Sequence, residues 1–231
     1  MSAGEVIGEA WGMYKTHWRH LLPIAFVVYL VLSLFTLLLV LLLGPFGAVA
    51  GAFVSLAGVF WIQGALVTAV EDIRDGRADL SMGETLSRVR PHLNTLGIAG
   101  ILAALGITIG LILLIVPGLY LATIWALIVP VIMLEGASIG QAFGRSRELV
   151  RGNGWGVFRL IVLVFLILLA AGIVVGIVLS PLDDGLQQYV QNVVSNTLTA
   201  PFIALALTLA YYRLRTTQVA AESGPEPAPA A

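Results

Sequence analysis

Four long stretches of this chain contain no Asp, Glu, Lys or Arg: 21–70, 91–134, 160–182 and 185–212. A helix needs about 20 mostly apolar residues to cross the hydrocarbon core of a bilayer. The first two stretches are each long enough for two crossings. Each is also interrupted near its middle, at Gly44-Pro45-Phe46-Gly47 and at Val116-Pro117-Gly118. The pattern predicts an all-α polytopic membrane protein with six spans, near 21–43, 48–70, 93–116, 118–134, 155–179 and 193–212. Composition agrees: 11% of the residues are charged, against about 25% in soluble domains.

The basic residues orient this bundle. Lys15 and Arg19 precede span one; Arg74, Arg77, Arg88 and Arg90 separate spans two and three. Arg145, Arg147, Arg151 and Arg159 fall between spans four and five or just inside span five, and Arg213 and Arg215 follow span six. The connections on the other side carry none; the longest, 181–192, holds Asp183 and Asp184. Lys and Arg mark the cytoplasmic side, so both termini are expected there. Trp18, Trp155, Tyr211 and Tyr212 are placed for an aromatic belt on that side, and Tyr120 for one on the other.

Span one is expected to be an uncleaved anchor. Ala48-Val49-Ala50 has a small-x-small form, but the apolar run before it is 23 residues long, against about 7–15 for a signal core. The domain is expected to fill 1–215, with a disordered Ala- and Pro-rich cytoplasmic tail at 216–231. There is no cysteine, which excludes thiol chemistry and disulfides.

A short pattern occurs three times: Ser2-Ala-Gly4-Glu5, Ser81-Met-Gly83-Glu84 and Ser138-Ile-Gly140-Gln141. Ser-x-x-Glu/Gln is the capping-box form, in which each of the two side chains satisfies a backbone N–H at a helix start. An amphipathic run follows each box: Val6, Ile7, Ala10, Trp11, Tyr14, His17 and Trp18; Met82, Leu86, Val89 and Leu93; Ile139, Ala142, Phe143, Ser146, Leu149 and Val150. Such helices rest in the headgroup plane, apolar side down. The expected unit is an interfacial helix followed by a hairpin of two spans, repeated over about 2–70, 81–134 and 138–212. Convergence is the alternative, since any helix entering a membrane benefits from a cap.

Small residues four apart allow close approach of helix backbones in lipid. They recur as Gly47, Gly51 and Ser55; Gly106 and Gly110; and Gly172, Gly176 and Ser180, and intramolecular packing is their expected role. Pro130 is expected to kink span four.

Candidate sites are few. Gln188, Asn192, Ser195, Asn196 and Thr199 recur at helical spacing on the last helix. They form either an outer-leaflet cavity for a lipid headgroup or polar solute, or a set of inter-helix hydrogen bonds. Arg145, Arg147 and Arg151 form either an anionic-lipid site or, through Arg145, Arg147 or Arg159, an ion pair with Glu135. Gln63 and Trp125 lie inside spans and need hydrogen-bond partners. His17 and His20 are three apart but lack the further ligands of a metal site. No Walker loop, zincin motif, nucleophile elbow or dinucleotide fingerprint occurs, and no ionisable residue lies deep in a span. The second fact argues against proton-coupled transport. No cofactor and no nucleic-acid partner is expected.

Pro117-Gly-Leu-Tyr-Leu-Ala-Thr-Ile-Trp-Ala-Leu-Ile-Val-Pro130-Val-Ile-Met-Leu-Glu135-Gly136, followed by the basic helix with Arg145-Ser-Arg-Glu-Leu-Val-Arg151-Gly, has a distinctive order of features. It resembles the membrane domain of the glycerophosphoryl diester phosphodiesterase family and related bacterial multi-pass proteins. Gly4-Glu5-Val6 through Tyr14 resembles that family's N-terminal opening. The resemblance implies a bacterial cytoplasmic membrane. In some relatives this domain is joined to a soluble phosphodiesterase domain with a His-Arg-Gly motif, acidic residues and a divalent metal. Here the histidines read His17-Trp18, His20-Leu21 and His92-Leu93, so that activity is not expected. The expected role is a non-catalytic membrane scaffold or lipid-interacting accessory module, with membrane lipids, including anionic ones, as partners. The alternatives are a transporter or lipid-translocating protein, and then an intramembrane enzyme.

Overall fold

The computed structural model describes residues 2–74, 80–182 and 184–222; Arg77 and Asp183 lie outside them. The described chain is helical throughout: α1 Ala3–Leu43, α2 Pro45–Arg74, α3 Met82–Val89, α4 Leu93–Leu113, α5 Ile115–Ile124, α6 Ile128–Glu135, α7 Ile139–Val150, α8 Gly154–Leu179 and α9 Asp184–Glu222. A 3-10 turn, Arg90–His92, joins α3 to α4. Six helical stretches are long and apolar enough to cross a membrane: Ala3–Leu43, Pro45–Arg74, Met82–Leu113, Ile115–Glu135, Gly154–Leu179 and Gln187–Ala220. This is a multi-pass, all-α membrane protein.

Both mid-stretch breaks exist, but they are narrower than the sequence suggests. Gly44 alone turns α1 into α2, at φ 57° and ψ −131°, and Pro45 opens α2. Proline is tolerated there because the first N–H groups of a helix have no intrahelical partner. The second break falls at Leu114, in extended conformation, three residues ahead of Pro117. Pro117 therefore sits in the first turn of α5 rather than in the turn itself.

Packing divides the helices into inner and outer ones. In their most apolar 18 residues, α2 and α9 are 56% buried, whereas α1 and α8 are 6% buried. Leu41, Phe165 and Ile177 are among the large apolar side chains left exposed on α1 and α8. Apolar surface on this scale is stable only against lipid or another protein. The α1–α2 hairpin packs through small residues. Gly51 leaves room for Thr36, and a Cβ there would meet its methyl at 2.7 Å. Gly106 and Gly110 do the same between α4 and α5, against Trp125 and Gly118. Gly172 faces open space, so the third small-residue series is not a tight contact along its whole length.

Three placements differ from the sequence reading. First, the N-terminal amphipathic run is continuous with span one, across a kink at His17 (φ −115°, ψ 17°) that lies N-terminal to Pro23. Its Ala3, Val6 and Ala10 are buried in the protein core, and Trp11 and Trp18 stay about half exposed. This run therefore packs part of its apolar face on protein. Second, α9 begins at Asp184, so most of the expected 181–192 connection is helix. Third, α9 runs on to Glu222, which makes 216–222 helical where a disordered tail is expected; 223–231 lie outside the described residues.

Candidate functional site

The end of the bundle that carries the arginines is braced by side chains of α6, α7 and α9. Gly136 ends α6 at φ 64°, a left-handed conformation that glycine adopts without strain. Ser138 then starts α7: Gln141 Oε1 accepts from the Ser138 N–H at 3.0 Å and from its hydroxyl at 2.8 Å. This start directs Arg145 back toward Glu135. Arg145 Nε donates to both Glu135 oxygens, at 3.3 and 3.2 Å, and one terminal nitrogen donates to Glu148 and Gln218 at 3.3 and 3.1 Å. The Tyr211 hydroxyl donates to Glu135 at 2.8 Å. Burial alone would lower the Arg145 pKa, but Glu135 and Glu148 outweigh it and the guanidinium is held more firmly charged than usual.

Arg145 is thus committed to an internal ion pair, one of the two readings its sequence position allows. Arg147 and Arg151 are exposed and make no side-chain ion pair or hydrogen bond among the described residues. The sequence places Tyr211 in an interfacial belt, but it is fully buried. Tyr212 lies beneath the Arg74 guanidinium, 3.6 Å from the ring centroid. Arg213 bonds Glu5 at 3.0 Å and Glu9 at 2.7 Å, which ties the N-terminal run to α9.

Span four is broken at Trp125–Leu127, between α5 and α6, and Pro130 sits in the first turn of α6. The buried Ser146 of α7 fills this break. Its hydroxyl donates to the Ile124 carbonyl at 2.8 Å and accepts from the Leu127 N–H at 3.2 Å. Beside it, Trp125 meets Phe143 edge to face at 4.9 Å; its indole makes no hydrogen bond among the described residues. Gln63 finds its inter-helix partner in the Ala200 carbonyl, at 3.4 Å.

The capping motifs are not equivalent. Ser81 and Glu84 form a complete box: Ser81 N–H and Oγ both donate to Glu84, at 2.9 and 2.6 Å, and the Glu84 N–H donates to Ser81 Oγ at 3.2 Å. The Ser81 hydroxyl and then its backbone N–H hold the Glu84 carboxyl below its usual pKa. Ser2 makes no such bond, and Glu5 is turned to Arg213. The expected first box is therefore not formed, because an ion pair takes its acid.

The polar stripe of α9 divides. Asn192 and Asn196 line a cleft of about 230 Å³ with Tyr29, Ser33 and Thr36 of α1 and Ser55 of α2. Gln188, Ser195 and Thr199 do not line it. The Thr199 hydroxyl donates back to the Ser195 carbonyl at 2.7 Å, and the Ser195 hydroxyl is buried with no partner among the described residues. Sequence reasoning found the α9 wall and missed the α1–α2 wall. Its Ser, Thr and Tyr are single polar residues in otherwise apolar runs.

Among the described residues no three His, Asp or Glu converge as metal ligands. No protein-family model, curated protein or solved structure matches the chain.

Proposed function

We propose that the chain is a non-catalytic membrane scaffold or lipid-interacting accessory module of a bacterial cytoplasmic membrane, with the arginine-bearing end and both termini inside. One observation carries this reading: the polar groups at that end are divided in use. Arg145 and Ser146 brace the bundle, whereas Arg147 on the same helix and Arg151 just after it are exposed and unpaired among the described residues. Basic side chains beside an anionic leaflet each contribute about 1 kcal/mol of attraction. Exposed Glu148 offsets part of it. The motif-level resemblance to the membrane domain of the diester phosphodiesterase family agrees with a membrane module, and the chain carries no His-Arg-Gly. The shared starts of α3 and α7 support descent of the helix-plus-hairpin units from a common repeat, with the first unit altered at its cap.

The test is retention of phosphatidylglycerol through purification in mild detergent. Arg147→Gln/Arg151→Gln should retain less than the wild type, and Arg145→Gln should instead lower thermal stability. Equal retention by wild type and double variant removes the lipid-interacting part of the reading. A second reading, lipid or solute translocation, is favoured by the polar cleft between α1, α2 and α9.

A further inference from the structure

The cleft between α1, α2 and α9 has the chemistry of a ligand site. Thr36 lies eight residues before the Gly44 turn and Tyr29 fifteen. At ~1.5 Å per residue the cleft runs from about 12 to about 22 Å below that turn. This is the depth of hydrocarbon in a core about 30 Å thick. Polar groups at such depth are costly unless something satisfies them.

Part of that satisfaction is internal. The Thr36 and Ser55 hydroxyls lie 3.2 Å apart and bond each other. The Asn192 amide nitrogen donates to the Gln188 carbonyl at 3.0 Å, and that of Asn196 to the Asn192 carbonyl at 2.8 Å. Each carboxamide has thus spent one donor on its own helix and retains its acceptor oxygen. The Tyr29 hydroxyl has no partner among the described residues, although Tyr29 is only 8% exposed and lines the cleft. Ser33 likewise makes no side-chain hydrogen bond among the described residues.

None of the lining residues is charged. A phosphate or carboxylate would enter without a compensating cation and lose its hydration, which is expensive. A choline headgroup brings no N–H or O–H donor to the carboxamide oxygens. An uncharged group with several hydroxyls satisfies the acceptors and also the unpartnered Tyr29 and Ser33. The volume, about 230 Å³, falls below the range of about 300–1,000 Å³ typical of drug-sized ligands. It suits a sugar- or glycerol-sized group rather than a large solute.

We propose that this cleft binds the uncharged, hydroxyl-bearing headgroup of a membrane lipid, such as a glycosyl-diacylglycerol, which enters sideways from the bilayer. The proposal rests on the reading of the chain as a lipid-interacting membrane module and adds a site far from the arginines. The same chemistry could be offered by a soluble sugar, and the depth of the cleft favours the lipid.

The experiment uses the full chain in nanodiscs of equal parts dioleoyl phosphatidylcholine, dioleoyl phosphatidylglycerol and monoglucosyl-dioleoylglycerol, with bound lipid read by native mass spectrometry. The wild type should retain the glucolipid over phosphatidylcholine by about tenfold, the scale of one or two net hydrogen bonds. Tyr29→Phe/Ser33→Ala removes two hydroxyls without adding volume and should lower that preference by about threefold to tenfold. Asn192→Leu should abolish it. Arg147→Gln/Arg151→Gln should leave it unchanged, so loss of phosphatidylglycerol in that variant tests the arginine reading separately. Equal retention of glucolipid and phosphatidylcholine by the wild type overturns the proposal. So does a preference that survives in Tyr29→Phe/Ser33→Ala, which keeps the fold. Displacement of the bound glucolipid by excess free glucose overturns the lipid source.

Discussion

Ser146 repairs a helix it does not belong to. From α7 its hydroxyl donates to the carbonyl of Ile124, at 2.8 Å, where α5 ends short of α6. The same oxygen accepts from Leu127 at 3.2 Å, so one side chain satisfies both lips of the break. A buried backbone group without a partner costs about 1–3 kcal/mol. Ser146→Ala should therefore lower the thermal midpoint in detergent clearly, through two orphaned groups. Ser87→Ala, which removes an exposed bond to the Glu84 carbonyl, should change little. Equal midpoints for the two variants would show that the break needs no clamp.

Glu135 joins three helices. Its carboxylate accepts from Arg145 of α7 and Tyr211 of α9. The pair is about a quarter to a third exposed, at 23% and 32%, so solvent screens it in part. A double-mutant cycle between Glu135→Gln and Arg145→Gln should give a coupling of about 0.2–1 kcal/mol, falling with added salt. Tyr211→Phe should cost more than either partner's exposure suggests, because the hydroxyl that it removes is buried and bonds a charge. A coupling of zero would make the ion pair incidental.

The boxes at α3 and α7 differ in one titratable atom set. Glu84 completes the first, and Gln141 stands in its place in the second. The folded-state pKa of Glu84 is depressed by its bonds to Ser81. Its contribution is therefore fully present above the ordinary carboxylate range and is lost as pH falls through the depressed value. The first turn of α3 should loosen in acid, seen as a random-coil drift of the Ser81 and Glu84 amide shifts, while the first turn of α7 holds. Ser81→Ala should cost about 0.5–2 kcal/mol of local helix stability, and Ser138→Ala less, because the Ser138 hydroxyl donates to Gln141 and makes no cap bond to a backbone N–H. Ser2→Ala should cost nothing there, since Ser2 makes no cap bond. Acid loosening of both turns alike would remove the role given to Glu84.

The spans are legible in the sequence because one rule governs them: charge cannot be left in hydrocarbon, so charge-free runs outline the helices. The two hairpin breaks are legible from Gly44-Pro45 and Pro117-Gly118, though Pro117 marks the start of a helix rather than the break itself. What the sequence hides is tertiary. Nothing local distinguishes Ser146 from a neutral residue on an amphipathic face, because its partners lie 22 and 19 residues away. Glu5 looks like a capping acid until Arg213, 208 residues away, takes it. Asn192 and Asn196 announce a polar face, but whether that face meets a second polar wall depends on which part of the α1–α2 hairpin packs against it.

The most direct test is topology. The chain has no cysteine, so single cysteines report without background. Phe46, at the α1–α2 turn, is 83% exposed; Arg88 of α3 and Arg151 after α7 are exposed at the opposite end. On intact cells an impermeant maleimide should label Phe46→Cys, and should reach Arg88→Cys and Arg151→Cys only after the membrane is opened. Labelling of the arginine positions from outside, with Phe46→Cys protected, would contradict the orientation, and labelling of Phe46→Cys and either arginine position from the same side would contradict the six-span arrangement.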